Sequence, residues 1–148
     1  MKYNRWPKRD PIKNYFPLPN EVFSLGLSAA EIAVYAYLLY CEDRQTYQCY
    51  PSFNTIGRAV GMCKNTVMKH VSTLEEKGLI TTESTSIFTK GGMKKNGNLL
   101  YNIRPIHEAV QIFHDKQLRQ MQEEADKSRI AKLMQEQEGS FCWEEVSA

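Results

Sequence analysis

The run Lys64-Asn65-Thr66-Val67-Met68-Lys69-His70-Val71-Ser72 mixes apolar and polar residues on a helical period. Val67, Val71 and Leu74 repeat at i, i+4 and i+7, so on a helix they form one narrow apolar stripe. The opposite face then carries Lys64, Asn65, Met68, Lys69 and Ser72. An Asn amide offers a donor and an acceptor side by side, and a Lys ammonium offers three donors on a flexible stem. Such groups can pair with the edge of a heterocyclic base or with phosphate. Thr66 adds a hydroxyl in the first turn, where unpaired backbone N–H groups favour an anion. His70 lies beside the apolar stripe and reads as structural or as facing the same partner, not as a base.

A second cluster follows. Residues 84–104 contain Lys90, Lys94, Lys95 and Arg104 and no acid at all. Lys90, Lys94, Lys95 and Asn96 stand among Gly91, Gly92 and Gly97, and such a loop can enter a minor groove or follow a phosphate backbone. A loop shaped only by solubility would mix acids with its lysines. Ser52 and Asn54, where a short helix should start, are further candidates for contact with an anionic partner.

Other chemistries find no support in the sequence. No Ser/His/Asp set or pair of catalytic carboxylates stands out, and Gly91-Gly92 lacks the downstream Gly-Lys-Ser/Thr that would hold a nucleotide. The cysteines at 41, 49, 63 and 142 form no CxxC pair, and the histidines at 70, 107 and 114 complete no finger spacing. A non-enzyme is expected, without cofactor or metal, its thiols free in a reducing, cytoplasmic compartment. No apolar run approaches the roughly 20 residues of a membrane span. No apolar stretch follows the charges of the first seven residues, so neither a membrane partner nor a secretory signal is expected.

The net charge of +2 conceals an asymmetry. Residues 1–104 hold 14 Lys and Arg against 8 Asp and Glu, whereas residues 105–148 hold 5 against 9. A polyanion would dock on the first part and be repelled by the second.

The elements that must position these groups can be read in order. Residues 1–20 contain four prolines and five basic residues, which reads as an extended basic arm. Ser28 with Glu31 three residues later is a capping box, and Ile32, Tyr35, Ala36, Leu38 and Leu39 give the following helix an apolar face to about Asp43. Residues 44–50 read as a polar connection. Ser52 can cap a short helix to Val60, with Ile56, Ala59 and Val60 facing inward. Gly61-Met62-Cys63 is a tight turn into a helix from Lys64 to Lys77, and Gly78 can stop that helix in a left-handed cap. Residues 79–82 and 86–89 are rich in β-branched and aromatic types, residues 91–98 read as a turn, and residues 99–103 as the partner strand. Residues 106–138 lack Gly and Pro and favour a long helix, with a loose tail at 139–148.

Helix, short helix, Gly-containing turn, helix and hairpin is the order of a winged helix-turn-helix, here spanning residues 21–105. The expected class is therefore mainly α with a small β-hairpin, plus a long C-terminal helix. The tight turn crosses its two helices steeply, so that one braces on a nucleic-acid backbone while the other enters the major groove. On this reading the partner is double-stranded DNA. The C-terminal helix is the candidate for homodimerisation or for packing back on the first helix of the same chain, since its interrupted stripe of Ile106, Val110, Phe113, Met121, Ile130 and Leu133 makes no clean heptad.

The run Tyr50-Pro51-Ser52, Ile56, Gly61, Asn65-Thr66-Val67, Val71 and Leu74 through Ile80 resembles the winged domains of plasmid and phage replication initiators. So do Phe16-Pro17-Leu18-Pro19, Leu27 through Glu31, and Asn96 through Tyr101; the likeness covers residues 15–106. The resemblance implies replication initiation on a plasmid, phage or other mobile element. A small winged-helix transcriptional regulator and a protein-docking scaffold are the alternatives. Two positions depart from the family pattern. Cys63 stands where Ser or Thr usually caps the helix, and Gly57 where Ala is usual.

Overall fold

The computed structural model describes the backbone of residues 15–146 and the side chains of residues 15–140. Most of the arm expected over 1–20 lies outside the described residues, as do the side chains of Phe141 and Trp143. Tyr15 to Pro19 have no regular secondary structure. They lie along the first helix: Phe16 meets Tyr40 edge to face at 6.1 Å, and Arg44 donates to the Tyr15 carbonyl at 3.3 Å.

A single 3-10 turn, Asn20–Ser24, buries Val22 and leads into α1, Ala29–Cys41. The capping box forms as the residue types require: Glu31 N donates to Ser28 Oγ, and Ser28 N donates to Glu31 Oε2. Val34, Tyr35, Leu38 and Leu39 face the core, while Ile32 and Ala36 are only half-buried. α2, Phe53–Val60, starts at Ser52, whose Oγ accepts from Thr55 N. Its inward residues are Ile56 and Gly57, with Val60 half-buried; Ala59, expected inside, is exposed.

Gly57 carries the tight turn. Gly61 ends α2 at φ +75°, and both Gly61 and Met62 donate their N–H to the Gly57 carbonyl. The chain thereby folds back over Gly57, where a Cβ would overlap the backbone carbonyl of Met62. The missing side chain is a packing requirement, which is why the usual Ala is absent.

α3, Lys64–Glu76, buries Val67, Val71 and Leu74 as the stripe predicts. It ends in a full Schellman motif. Gly78, at φ +80°, donates to the Glu75 carbonyl, and Leu79 N donates to the Leu74 carbonyl. Leu74 and Leu79, both fully buried, supply the apolar contact that accompanies this cap.

The β structure has two tiers. β2 (Ile80–Glu83) and β5 (Leu100–Ile103) pair antiparallel, with Ile80 opposite Ile103 and Tyr101 opposite Thr82. β1 (Gln48–Cys49), inside the stretch expected to be only a connection, adds to the free edge of β5. Beyond this sheet, β3 (Ser86–Phe88) and β4 (Lys94–Asn96) form a separate ribbon. Two residues, 84 and 85, separate the tiers on one strand and three, 97 to 99, on the other: a bulge. Gly97 sits there because a Cβ would stand 2.5 Å from Thr85 Oγ1.

α4, Ile106–Val146, continues past residue 138, so the expected loose tail is helical up to its last two residues, which are not described. The chain divides into two compact units, residues 1–110 and 111–148. In the first, Val22, Tyr35, Leu38, Ile56, Leu74, Ile80, Tyr101 and Ala109 are buried to within about a hundredth of full exclusion. From Gln111 to Ser140 the helix is exposed except at the half-buried Phe113. Helices 1 to 3 with a hairpin that closes a small sheet make this a winged helix-turn-helix followed by a long helix.

Candidate nucleic-acid interface

α3 shows its polar face to solvent. Lys64, Asn65, Lys69 and Ser72 are exposed, Met68 is 43% exposed, and Thr66 is half-buried. No hydrogen bond or ion pair among the described residues engages the side chains of Lys64, Asn65, Lys69 or Ser72. Glu75 and Glu76 are also exposed, so the last turn of α3 is acidic and the part that suits a polyanion runs from Lys64 to Ser72.

A cleft of about 670 Å³ runs between α3, the start of α2 and the base of the wing. It brings together Ser52, Asn54, Lys64, Met68, Ser72 and Asn96 of the predicted set. Asn65, Thr66 and Lys69 lie outside it, as do Lys90, Lys94 and Lys95. Sequence reasoning overlooked Asn98, Phe53 and Thr82, which also line the cleft. Asn98 Nδ2 donates to the Tyr50 carbonyl at 3.2 Å, fixing the wing against the entry to α2. The Asn98 signal is present in the sequence, but it sits inside a run that reads only as a turn.

Ser52 has a structural role. Its Oγ accepts from Thr55 N at 3.1 Å and lies 2.8 Å from Thr55 Oγ1, so its hydroxyl is engaged in capping α2. Asn54, exposed in the first turn of α2, is free to reach outward. Glu75 serves the wing: its Oε1 accepts from both Thr82 N (3.2 Å) and Thr82 Oγ1 (3.1 Å). This pair of hydrogen bonds ties the base of the hairpin to α3.

The predicted wing residues divide between turn and strand. Lys90 is in the tip, where Gly92 at φ +78° donates to the Thr89 carbonyl and Thr89 donates to the Met93 carbonyl. Lys94, Lys95 and Asn96 are on β4, so the expected turn over 91–98 is shorter than predicted. All four are exposed.

Cys63 occupies the N-cap of α3 without a side-chain bond to the backbone, as a thiol in place of a hydroxyl implies. Its Sγ lies 3.0 Å from Thr66 Oγ1, and this hydrogen bond lowers the thiol's pKa. Cys49, by contrast, is buried, and burial pushes its thiol up to about 12. At the other end of α3, Lys77 Nζ binds Glu31 Oε2 at 2.8 Å and the Gly26 carbonyl at 3.3 Å. Burial works against the Glu31 charge, but Lys77 and the Ser28 N–H outweigh it and lower its pKa.

Residues 25–80, from the end of the 3-10 turn to the start of β2, match a family described as "Helix-turn-helix domain". The matched segment has the fold of a helix-turn-helix, with α2, the turn at Gly61 and α3 inside it. The match ends before the wing. Among solved structures, a possible transcriptional regulator from Methanosarcina mazei Go1 is similar at 18% identity and a TM-score of 0.47, over 71% of this chain and 82% of that one. A probable transcriptional regulator from Pseudomonas aeruginosa is similar at 20% identity and a TM-score of 0.37, over 76% of this chain and 84% of that one. No curated protein matches the chain. Likeness to replication initiators does not recur in these matches. Among the described residues, no helix is long and apolar enough to cross a membrane.

Proposed function

We propose that this protein binds a specific site on double-stranded DNA through its helix-turn-helix domain and regulates transcription there. One observation carries the reading: α3 exposes Lys64, Asn65, Lys69 and Ser72 beside a wing with no acid between residues 84 and 104. Asn65 and Lys69 read base edges in the major groove, and Lys64 and Thr66 hold phosphate at the helix start. Lys90, Lys94 and Lys95 add phosphate attraction from the wing, with Asn96 and Asn54 at the rim of the cleft. Two lysines on α3 are too few to supply most of the phosphate attraction, so the helix is the reader and the wing the grip.

Self-association through α4 completes the proposal, since a dimer of such domains reads two half-sites. Its support is the exposure of Leu118, Met121, Ile130, Leu133 and Met134 along the helix.

Selection of bound duplexes from a random pool, followed by footprinting of the selected site in its genome, tests the role. A palindrome over a promoter is the expected result. Iterated sites within an origin would instead support replication initiation, and absence of duplex affinity at low salt would support a protein-docking scaffold.

A further inference from the structure

The β3–β4 ribbon exposes an aromatic ring where a basic tip needs none. Phe88 is 72% exposed, in a segment whose only charges are positive. A large apolar side chain on the outer part of a two-stranded ribbon invites association with other chains and calls for a reason.

The register shows where the ring lies. Phe88 stands opposite Lys94 and Ser86 opposite Asn96, so Phe88, Lys94 and Asn96 share one face of the ribbon. Asn96 lines the cleft beside α3. Phe88 therefore continues the same surface outward, two residues or about 7 Å further from the cleft. Ile87, opposite Lys95, belongs to the other face.

The geometry points to Phe88 as an apolar wedge that enters the DNA minor groove, partly unstacks one base step and kinks the duplex, with Lys94 beside it on phosphate. The inference rests on the DNA-binding reading and adds a second mode of recognition to it. A minor groove about 6 Å wide excludes a helix but admits a strand tip. Apolar wedges of this kind work beside cationic side chains, which hold the bent backbone against the protein. Unstacking is easiest at pyrimidine–purine steps, so the wedge selects sequence at a position that no hydrogen bond reads. Charge complementarity and continuity with the reading face favour DNA over a protein as the occupant.

The test measures bending of a 30-bp duplex (about three helical turns) carrying the selected site, by energy transfer between its labelled ends. The full-length protein and its Phe88→Ser and Phe88→Leu variants are compared, with affinity recorded across a salt series. The parent should bend the duplex by about 20–90°. Phe88→Ser should abolish the bend and weaken binding about tenfold, with an unchanged salt slope because no cation is lost. Phe88→Leu, still an apolar wedge, should keep most of the bend. Matching thermal unfolding of all three shows that the exposed position does not affect folding. Equal bending by Phe88→Ser and the parent, or specific binding by the parent without any bend, overturns the wedge and leaves the DNA-binding reading standing. Absence of parent binding to any duplex overturns both.

Discussion

At the scale of single residues, Gly57 and Glu31 show how little freedom the domain leaves at its joints. Ala at position 57 would gain helix propensity of about 0.5–1 kcal/mol. It would also drive a Cβ into the Met62 carbonyl, a backbone atom with little room to yield. We expect Gly57→Ala to destabilise the fold by about 1–3 kcal/mol, seen as a lower denaturation midpoint. Glu31 closes the α1 cap and pairs with Lys77 at the end of α3. Its folded pKa lies below the ordinary 4.5, so its charge contributes stability above that pH and loses it as pH falls through the folded value. Lys77→Met should therefore cost about 1 kcal/mol at neutral pH, and the difference from the parent should shrink in acid. Chemical denaturation from pH 3 to pH 7 (about the range over which carboxylates titrate) checks this. A difference constant with pH would contradict it.

At the scale of elements, the helices were largely legible because each carries its own punctuation. Ser28 with Glu31, Ser52, Gly61 and Gly78 all cap where their types predict, and the Val67, Val71, Leu74 stripe is buried as spaced. The β structure was less legible for a physical reason. β1 is two residues long and exists only because the edge of β5 is open to it, a long-range pairing with no local pattern. Gly97 read as turn chemistry, whereas it serves close approach at the bulge, and β4 was hidden in what looked like one loop. Of the interface, the polar face of α3 was visible in its period. The role of Glu75 in holding Thr82 is a contact between elements with no local pattern, and only the fold shows it. For the wing we expect Lys94→Ala with Lys95→Ala to weaken binding to all sequences alike. The logarithmic salt slope should flatten by about 2, one released counterion for each lost contact. Preserved slope with lost specificity would assign these lysines to base reading instead.

At the scale of the whole molecule, the chain is a compact first unit ending at Val110 and a helix beyond it. Ala109 is buried in the first unit, so a truncation that preserves the domain must fall after Val110 and not before α4. That truncated protein should sediment as a monomer while the full chain sediments as a dimer. An unchanged dimer would move the self-association surface into the first unit. The central claim, that α3 reads DNA and the rest of the domain holds it in place, is tested most directly by Asn65→Ala and Lys69→Ala. Their affinity for the selected duplex, measured by fluorescence anisotropy beside an unrelated duplex, should fall by about 1–3 kcal/mol for the selected site alone. Thermal stability should stay at the parent value, since both side chains are exposed. Unaltered discrimination between the two duplexes, or a matching loss of stability, would contradict the account.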